Sequence, residues 1–333
     1  MKKRKGLVIC LVIAGLVCTA AGLYAGYTIQ NSRKSITQKD ASVSESTGSE
    51  SSSYMKVTYN GTEYEYNTNL KNVLFIGVDK TDLIGEKTPG KAGQADCLIL
   101  LSMDTKTKET KMLEISRDSM TEIKIYGTEG GLVGTEKAQL AAQYAYGDGK
   151  ARSCQLTKEA VSRVLYGLPI NSYFALDISG ISPIIDAIGG LPVTLDEDWS
   201  WIDPAFTAGA ELSLTGAQAT SFVRSRNTAV LDSNNDRMIR QGVFLKALIS
   251  QVKAKAGNNS GIYDLMLHAA DGYLVTDMQD KEIHSLATYS FNNEIETVPG
   301  DVVMGEKYAE FNVNRTELYK IILKLLYKSA ETG

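Results

Sequence analysis

Two short runs of apolar residues constrain the fold of this chain most strongly. They occupy residues 73–78 (VLFIGV) and 97–102 (CLILLS), and neither alternates between apolar and polar positions. Such runs are typical of strands that are buried on both faces of a sheet. A strand of this kind needs helices above and below it, so the sequence predicts an α/β fold, a three-layer α/β/α domain around a central mixed sheet.

The remaining segments supply further elements of this domain. Strand-like patterns recur at 111–115, 172–177, 193–195 and 294–298. Helical patterns recur at 137–146, 154–166, 179–188, 235–256, 279–289 and 315–328. An Asn-Gly pair within an alternating segment predicts an edge hairpin at 55–69. We assign residues 70–256 to the main domain and 257–333 to a C-terminal extension packed on it.

The N-terminus predicts a membrane anchor. Four of the first five residues are basic, and an uncharged, mostly apolar run follows at 6–29. As a helix this run reaches roughly 36 Å, which exceeds a hydrocarbon core of about 30 Å. A cleaved signal peptide is the alternative, but the run is longer than its usual apolar region. We expect residues 1–5 to be cytoplasmic, residues 30–54 to form a Ser-rich flexible stalk, and a single pass through the cell membrane to leave the C-terminal domain extracytoplasmic.

Charge and composition exclude several function classes. The net charge is −4 despite the basic N-terminus, so the rest of the chain is acidic and a nucleic-acid partner is disfavoured. The two histidines, His268 and His284, lie near no nucleophile motif, which argues against a Ser-His or Cys-His hydrolase. Zinc-site spacings are missing. Cys97 and Cys154 have the context of packing residues, although a bridge between them stays open.

Four arginines and one glutamine fall close together between residues 223 and 241. Arg224 and Arg226 are two apart, so they would share one face of a strand, whereas Arg237, Arg240 and Gln241 would share one face of a helix. Two elements would thus direct positive charge to one place, where the first turn of the helix adds backbone N–H groups. This arrangement is typical of a phosphate or pyrophosphate site.

A simpler interpretation gives these arginines no ligand. Asp232 and Asp236 lie in the same segment and would pair with them at a solvated helix start. The two interpretations differ in where the guanidinium groups point, which the sequence does not decide.

Carboxylates occur where the buried strands begin and end. Asp79 follows the first apolar run, and Asp96 opens the second. If these strands are antiparallel neighbours, the two carboxylates meet at one edge of the sheet. Mg²⁺ takes one or two carboxylates together with phosphate oxygens and water, so this pair predicts a Mg²⁺ site. Taken singly, each aspartate is also an ordinary turn or strand-entry residue.

A third strand, 111–115, leads into Arg117 and Asp118. Arg117 falls at a strand end, where sites in α/β sheets are found. Asp118 has three possible roles: a partner that orients Arg117, an N-cap for a short turn after it, or a general base that deprotonates a sugar hydroxyl.

In this order the motifs resemble the LytR-CpsA-Psr family. The matching blocks are 72–79 (NVLFIGVD), 95–98 (ADCL), 115–118 (ISRD), 144–147 (YAYG), 186–193 (DAIGGLPV), 214–219 (LTGAQA) and the arginine segment 223–241. They cover about residues 70–256, which is most of the predicted folded part. The chain is therefore identified as a divergent member of this family.

The resemblance implies a Mg²⁺-dependent phosphotransferase. Members of the family transfer a glycopolymer phosphate from a polyprenyl pyrophosphate carrier to peptidoglycan, and the implied partners are the lipid-linked glycan, the peptidoglycan acceptor and the membrane. Matching positions imply Asp79 and Asp96 as metal ligands. They imply as pyrophosphate contacts Arg117, Arg224, Arg226, Arg237 and Gln241, with Arg240 as a weaker candidate. Arg117 and Asp118 are the expected catalytic pair.

Three positions depart from the family pattern. Thr81 and Gln94 stand where arginines are common, and Gln139 stands at the lysine of a Lys-x-Asn motif. These losses support an alternative, in which the chain binds lipid-linked glycans or regulates envelope assembly without catalysis. Hydrolysis of the pyrophosphate, with water as acceptor, would use the same residues.

Overall fold

The computed structural model describes residues 54–79, 90–227, 229, 233–258, 261–306 and 308–329. The strands are β1 (Lys56–Tyr59), β2 (Thr62–Tyr66), β3 (Leu70–Asp79), β4 (Gln94–Asp104), β5 (Glu109–Glu114), β6 (Met120–Tyr126), β7 (Leu132–Gln139), β8 (Ser172–Asp177), β9 (Leu191–Thr194), β10 (Glu211–Leu214), β11 (Leu274–Thr276), β12 (Ser290–Thr297), β13 (Gly300–Met304), β14 (Ala309–Val313) and β15 (Tyr327–Ser329). The α-helices are α1 (Ala151–Val164), α2 (Ile181–Ala187), α3 (Gly216–Arg224), α4 (Ser233–Asn258), α5 (Ile262–Ala269), α6 (Asp280–Ser285) and α7 (Arg315–Leu326). Short 3-10 helices span Leu140–Tyr146, Ile178–Gly180 and Leu286–Thr288.

The N-terminal predictions fall outside this part of the chain. The cytoplasmic tip at 1–5, the membrane span at 6–29 and the stalk, apart from Tyr54, lie outside the described residues. Among the helices that the structure does describe, none combines the length and apolar character needed to cross a membrane.

Six strands form the central sheet, in the order β11-β8-β3-β4-β5-β12. β4 runs antiparallel to both β3 and β5, whereas β8 is parallel to β3 and β12 is parallel to β5. The two apolar runs therefore form the two central strands. The predicted α/β class with a central mixed sheet is confirmed.

Each face of the central sheet carries its own apolar core. Along β3, Val73 and Phe75 face a cluster that includes residues of α2, α3, α4 and α5. Leu74 and Ile76 face the opposite cluster, which includes residues of α1 and α7. Burial of each such side chain stabilises the fold by about 1.5–3 kcal/mol, which explains why this strand has no polar alternation.

Some elements differ from the sequence prediction. Residues 137–139 end strand β7 and do not begin a helix, because β7 pairs with β6 in a hairpin that the sequence did not indicate. The predicted N-terminal hairpin is confirmed, with the turn residues Asn60 and Gly61 at positive φ, but it pairs with β15 and lies outside the central sheet. Residues after 257, expected as an extension, supply both edge strands of the central sheet, β11 and β12.

Cross-strand packing at Gly77 permits a stability prediction. Gly77 pairs with Cys97 of β4, and a Cβ added at Gly77 would lie 2.7 Å from the Cβ of Cys97. Because Cys97 is buried, Gly77→Ala is expected to lower the free energy of unfolding by about 1–3 kcal/mol. Urea denaturation measures the change. Gly134→Ala is the matched control, since its Cβ would meet no atom within 4 Å. Equal stability of the two variants would contradict this close packing.

Candidate functional site

The carboxylates predicted to meet lie at one end of the central strands. β3 ends at Asp79, and Gln94, the first residue of β4, lies directly opposite it in an antiparallel pair. The predicted strand arrangement is therefore confirmed. Asp79 and Asp96 line the same narrow cavity, about 40 Å³ in volume. Its other walls are apolar or amide side chains and glycine: Phe75, Gly77, Val78, Cys97, Leu176, Ile178, Ile181, Val223 and Gln241.

Asp96 is held between two buried arginines. Arg117 Nη1 donates to Asp96 Oδ1, and Arg237 Nη1 donates to Asp96 Oδ2 at 3.1 Å. The side chains of Arg237 and Asp96 are only 3% and 13% exposed. Two positive charges thus share the Asp96 carboxylate, so this carboxylate alone does not neutralise both arginines.

Both of these arginines have hydrogen-bonding capacity left over. The Nε atoms of Arg117 and Arg237 are buried and find no hydrogen-bond partner among the described residues. Arg117 Nε lies 3.4 Å from Asp118 Oδ1, an ion pair without hydrogen-bond geometry. Burial lowers the pKa of Arg237, and the nearby Asp96 carboxylate opposes that shift. Buried donors of this kind are costly unless a ligand or water satisfies them, so the cluster is suited to an anion.

Arg224 and Arg226 lie near the same edge, but the prediction that they share one strand is wrong. Arg224 is the last residue of α3, a helix that begins at a capping box formed by Thr215 and Gln218. Its guanidinium contacts Asp79 twice, with Nη2–Oδ1 at 3.0 Å and Nε–Oδ2 at 3.3 Å. Arg226 follows in non-helical backbone and donates from Nε to Ser233 Oγ at 3.4 Å.

The charge of Arg226 reaches the buried cluster. The positive charge of Arg226 lowers the pKa of Asp118 and that of Arg237, so its guanidinium lies within electrostatic range of both. Arg226 is half-buried, whereas Arg224 is exposed. Arg226 therefore adds a third positive charge beside Arg117 and Arg237 without a carboxylate partner of its own in the described contacts.

Arg240 and Gln241, predicted to face the ligand with Arg237, contact the protein. Arg240 Nε donates to the Phe222 carbonyl at 2.8 Å, and its other nitrogens contact the Ser225 carbonyl and the Asp236 carboxylate. The pairing with Asp236 that the simpler interpretation predicted is thus found, but Arg240 is fully buried and therefore not solvated. Asp232 lies outside the described residues. Arg240 fixes the backbone that leads from α3 to Arg226.

Gln241 lines the cavity from the neighbouring position of α4. Its Nε2 donates to the Val223 carbonyl at 3.0 Å, and its side chain is 8% exposed. Gln241 therefore helps to hold the end of α3 and borders the cavity that Asp79 and Asp96 share.

Asp118 is buried beside Arg117 and held by Gln139. Gln139 Nε2 donates to Asp118 Oδ1 at 2.9 Å and to the Ala309 carbonyl at 2.7 Å. Burial raises the pKa of Asp118, although the charges of Arg117, Arg226 and Arg237 act in the opposite direction and Asp96 adds to the rise. The N-cap role considered for Asp118 is wrong, because strand β6 and no helical turn follows it.

Sequence reasoning noticed Gln94 and Gln139 only as departures from a motif. Gln94 Oε1 accepts a hydrogen bond from Arg117 Nη2 at 2.6 Å, and Gln139 orients Asp118. Each glutamine thus contacts the residue pair predicted to be catalytic. Their location at motif positions was the signal that could have identified them as part of the site.

The donor set for a metal consists of two carboxylates. Among the described residues no group of three His, Cys, Asp or Glu side chains comes together to hold a metal ion. Asp79 and Asp96 are hard oxygen donors that border one cavity, which fits an ion that takes one or two carboxylates and receives its other ligands from phosphate and water. Their pairing with arginines means that such an ion must share both carboxylates with guanidinium groups.

The chain is similar in sequence and in structure to known proteins. The sequence profile described as the LytR_cpsA_psr family matches residues 25–325. A Bacillus cereus protein named polyisoprenyl-teichoic acid--peptidoglycan teichoic acid transferase TagU is 27% identical over 316 residues, covering 92% of this chain and 91% of that protein. The crystal structure of Bacillus subtilis TagV has a TM-score of 0.56 at 24% identity and covers 78% of this chain and 96% of that one. The structure of TagT bound to LIIa-WTA has a TM-score of 0.56 at 20% identity, covering 78% and 92% respectively.

Proposed function

The chain belongs to the LytR_cpsA_psr family, and from this premise we propose that it is a membrane-anchored phosphotransferase. It moves a glycopolymer phosphate from a polyprenyl pyrophosphate carrier to peptidoglycan. The name of the B. cereus relative, a teichoic acid transferase that acts on peptidoglycan, supports this reaction class. The structure of TagT bound to LIIa-WTA supports a glycopolymer ligand for the fold.

One observation carries the proposal: two buried arginines, Arg117 and Arg237, have Nε donors that lack hydrogen-bond partners among the described residues. Together with Arg226 they bring more positive charge to the edge of the sheet than Asp96 and Asp118 balance. A pyrophosphate has the charge and the acceptor oxygens to satisfy these donors. We therefore assign the donor pyrophosphate to this cluster.

In the proposed reaction, a peptidoglycan hydroxyl oxygen attacks the glycan-side phosphorus. A new P–O bond forms to that oxygen, the bond to the bridging oxygen breaks, and polyprenyl phosphate leaves with the bonding electron pair. The hydroxyl proton passes to the Asp118 carboxylate, which is held by Gln139. Phosphoryl transfer depends mainly on positioning and charge neutralisation. Arg117, Arg226 and Arg237 would provide most of both for the phosphate groups.

Asp79 and Asp96 are the proposed ligands of Mg²⁺. When bound, the ion supplies charge neutralisation to the phosphate oxygens. Arg224 pairs with Asp79, and Arg117 and Arg237 pair with Asp96. These pairs keep the two carboxylates oriented toward the cavity.

The apolar cavity beside the carboxylates suits the lipid part of the donor. Phe75, Leu176 and Val223 form part of its wall, and the cavity lies between the sheet and the helical layer of α2–α4. Isoprene units are entirely apolar, so burial against these side chains favours binding. Because the cavity is narrow, about 40 Å³, we expect it to widen when a prenyl chain enters.

We further propose that residues 6–29 span the cell membrane once and that the C-terminal domain is extracytoplasmic. The basic residues at 2–5 and the uncharged run that follows them support this orientation. It would place the arginine cluster on the side of the membrane where peptidoglycan lies.

A transfer assay tests the proposed function directly. Full-length chain is incubated with a lipid-linked glycan pyrophosphate, Mg²⁺ and peptidoglycan fragments, and the product is analysed for a new phosphodiester link. We expect product that is lost when EDTA removes Mg²⁺. Tight binding of the lipid without product, for several donor glycans, would instead establish a non-catalytic binding protein. Release of glycan phosphate into water would establish a hydrolase.

Gln139 provides a more specific test of Asp118 as the base. Transfer is expected to fall as the pH drops through the pKa of Asp118, which burial raises above the usual aspartate value of 3.8, since the protonated carboxyl cannot accept a proton. Gln139→Met removes the hydrogen bond to the carboxylate and should shift this acidic limb upward by about one pH unit. Gln143→Met, which disrupts contacts with Lys124 instead, is the control and should leave the limb in place. An unchanged limb in Gln139→Met would argue against Asp118 as the base.

A further inference from the structure

A second cavity lies on the opposite face of the sheet from the apolar one. Its walls include Val78 of β3 and Ala175 of β8, which belong to the core on the α1 side, whereas Phe75 and Leu176 of the first cavity belong to the core on the α2–α5 side. Val78 borders both cavities. The two spaces are therefore separated by little more than the end of strand β3.

The lining of the second cavity is much more polar. Its lining residues include Asp177, Lys150, Tyr273 and Gly149. Asp177 is 7% exposed, and its Oδ1 accepts a hydrogen bond from the Ser179 amide at 2.9 Å. Such a combination of a few polar groups with an aromatic side chain is typical of a pocket for a polar small molecule.

Its polar side chains can be assigned separate tasks. Asp177 supplies a carboxylate, the kind of acceptor that a ligand hydroxyl needs, and its Oδ1 also caps the turn at Ser179. Lys150 is exposed at the rim and can donate to ligand oxygens. Tyr273 is half-buried, and its ring offers an apolar surface on which the C–H face of a sugar can pack. These are the contacts that a saccharide ring needs.

The volume also suits one ring. The cavity measures about 140 Å³. A protein cavity of about 150 Å³ accommodates a six-membered ring such as benzene. A pyranose ring fits this space if its substituents extend past Lys150 into solvent.

A short helix connects this cavity to the proposed base. The 3-10 helix Leu140–Tyr146 begins directly after Gln139, which holds Asp118, and Tyr144 of the same helix lines the second cavity. Tyr144 is fixed there because its hydroxyl donates to the Gly149 carbonyl at 2.9 Å. A short segment of the chain thus leads from the residue that holds Asp118 to the polar cavity.

We propose that the second cavity binds a sugar ring of the peptidoglycan acceptor. This inference rests on the proposed function, in which the lipid donor occupies the apolar cavity and the arginine cluster. The acceptor then approaches from the other face of the sheet, so the two substrates do not compete for one groove. Asp177, Lys150 and Tyr273 determine which saccharide is accepted.

Direct binding tests this assignment without requiring turnover. The full chain is titrated with a peptidoglycan disaccharide fragment by isothermal calorimetry, and a lipid pyrophosphate is titrated in parallel. Tyr273→Ala is expected to raise the Kd for the disaccharide about tenfold, whereas Tyr273→Phe, which keeps the ring, should change it little. Lys150→Ala should weaken saccharide binding by a smaller factor. Asp177→Asn keeps an oxygen that can cap Ser179 but removes the charge, and it should also weaken binding.

The controls separate a local effect from a folding defect. Lys106→Ala removes an exposed lysine in the turn after β4 and should bind the saccharide like the unaltered chain. If Tyr273→Ala fails to fold, Lys150→Ala still tests the cavity, because Lys150 lies at the surface and its removal should not disturb the fold. Lipid pyrophosphate affinity should stay unchanged in all of these variants.

Each outcome decides the proposal. Saccharide binding that weakens in the cavity variants and not in Lys106→Ala supports it, even if no transfer activity is found. Saccharide binding that none of the cavity variants alters places the acceptor elsewhere and overturns it. Transfer activity in a protein that shows no saccharide binding, or whose acceptor KM is the same with Tyr273→Ala and Lys150→Ala, also overturns it while leaving the proposed function intact.

Discussion

Replacing Arg226 by alanine is expected to reduce transfer by about 100- to 1000-fold while leaving the domain folded. The charge of Arg226 reaches Asp118 and Arg237, and the hydrogen bond that its side chain donates to the described protein is a long one, 3.4 Å to Ser233 Oγ. The fold does not need the positive charge of Arg226 to balance its own charges. This guanidinium can therefore stabilise the negative charge that develops on the phosphate in the proposed reaction. The measurement is kcat/KM in the transfer assay, together with a thermal melt.

Arg152→Ala is the matched control for that variant. Arg152 is an exposed arginine of α1 whose guanidinium packs over the Tyr126 ring, 4.9 Å from its centroid. Its removal should leave kcat/KM within a factor of about two, because surface substitutions away from a site have small effects. If Arg226→Ala transferred glycan as well as Arg152→Ala did, Arg226 would not contact the reacting phosphate.

Asp96→Ala is expected to lower the free energy of unfolding by about 3–5 kcal/mol. The reason is that Asp96 is the carboxylate partner of two buried arginines, Arg117 and Arg237. Without it, Arg237 stays buried with no carboxylate partner in the described part of the chain, and Arg117 keeps only the Asp118 carboxylate at 3.4 Å. Loss of transfer in this variant would therefore reflect damage to the fold as well as loss of a proposed metal ligand. Urea denaturation at neutral pH gives the stability change.

Asp79→Ala is the comparison that makes this prediction specific. Its partner Arg224 has a side chain that is 45% exposed, so an exposed pair is lost and the expected cost is only about 0–1 kcal/mol. Asp79→Ala is thus the better variant for testing the metal site by activity. Equal destabilisation by the two substitutions would contradict the buried cluster around Asp96.

The same contacts predict a link between substrate and metal binding. Arg224 pairs with Asp79, and both are partly exposed, so a pyrophosphate that attracts Arg224 also frees Asp79 to bind an ion. Asp96 is different, because Arg117 and Arg237 hold it on both oxygens. We therefore expect the two proposed metal ligands to behave differently: the substrate would release Asp79, whereas two buried arginines hold Asp96.

The buried strands and the meeting of Asp79 with the start of β4 were predictable because they follow from local patterns. A continuous apolar run can be buried only between two layers, and strands that follow one another in sequence are usually neighbours in a sheet. The arginine segment was likewise predictable as a concentration of charge. The partner of each arginine was not predictable, because Arg237 donates to Asp96, whereas Arg240 donates to a carbonyl near the end of α3. Neighbours on one helical face can have partners that are far apart in sequence.

The contacts of Asp118 show the limit of sequence reasoning most clearly. Gln139 reaches both Asp118 and the carbonyl of Ala309, which lies 170 residues later. Phe311 donates its amide to the Asp118 carbonyl in the same region. No periodicity or spacing indicates that the β13–β14 hairpin supports this loop. Only the three-dimensional register of β14 beside the start of β6 does so.

The edge strand β12 also affects the rate and order in which the protein folds. Ser290 at its start contacts Lys108, 182 residues earlier, and β12 pairs in parallel with β5. Pairings between segments so distant in sequence form slowly, because a long loop must close first. A nascent chain that has emerged only as far as α4 would expose the free edge of β5 and lack the hairpin that supports Asp118. We therefore expect the proposed phosphate site to be completed late in folding, and until then the open edge of β5 favours aggregation.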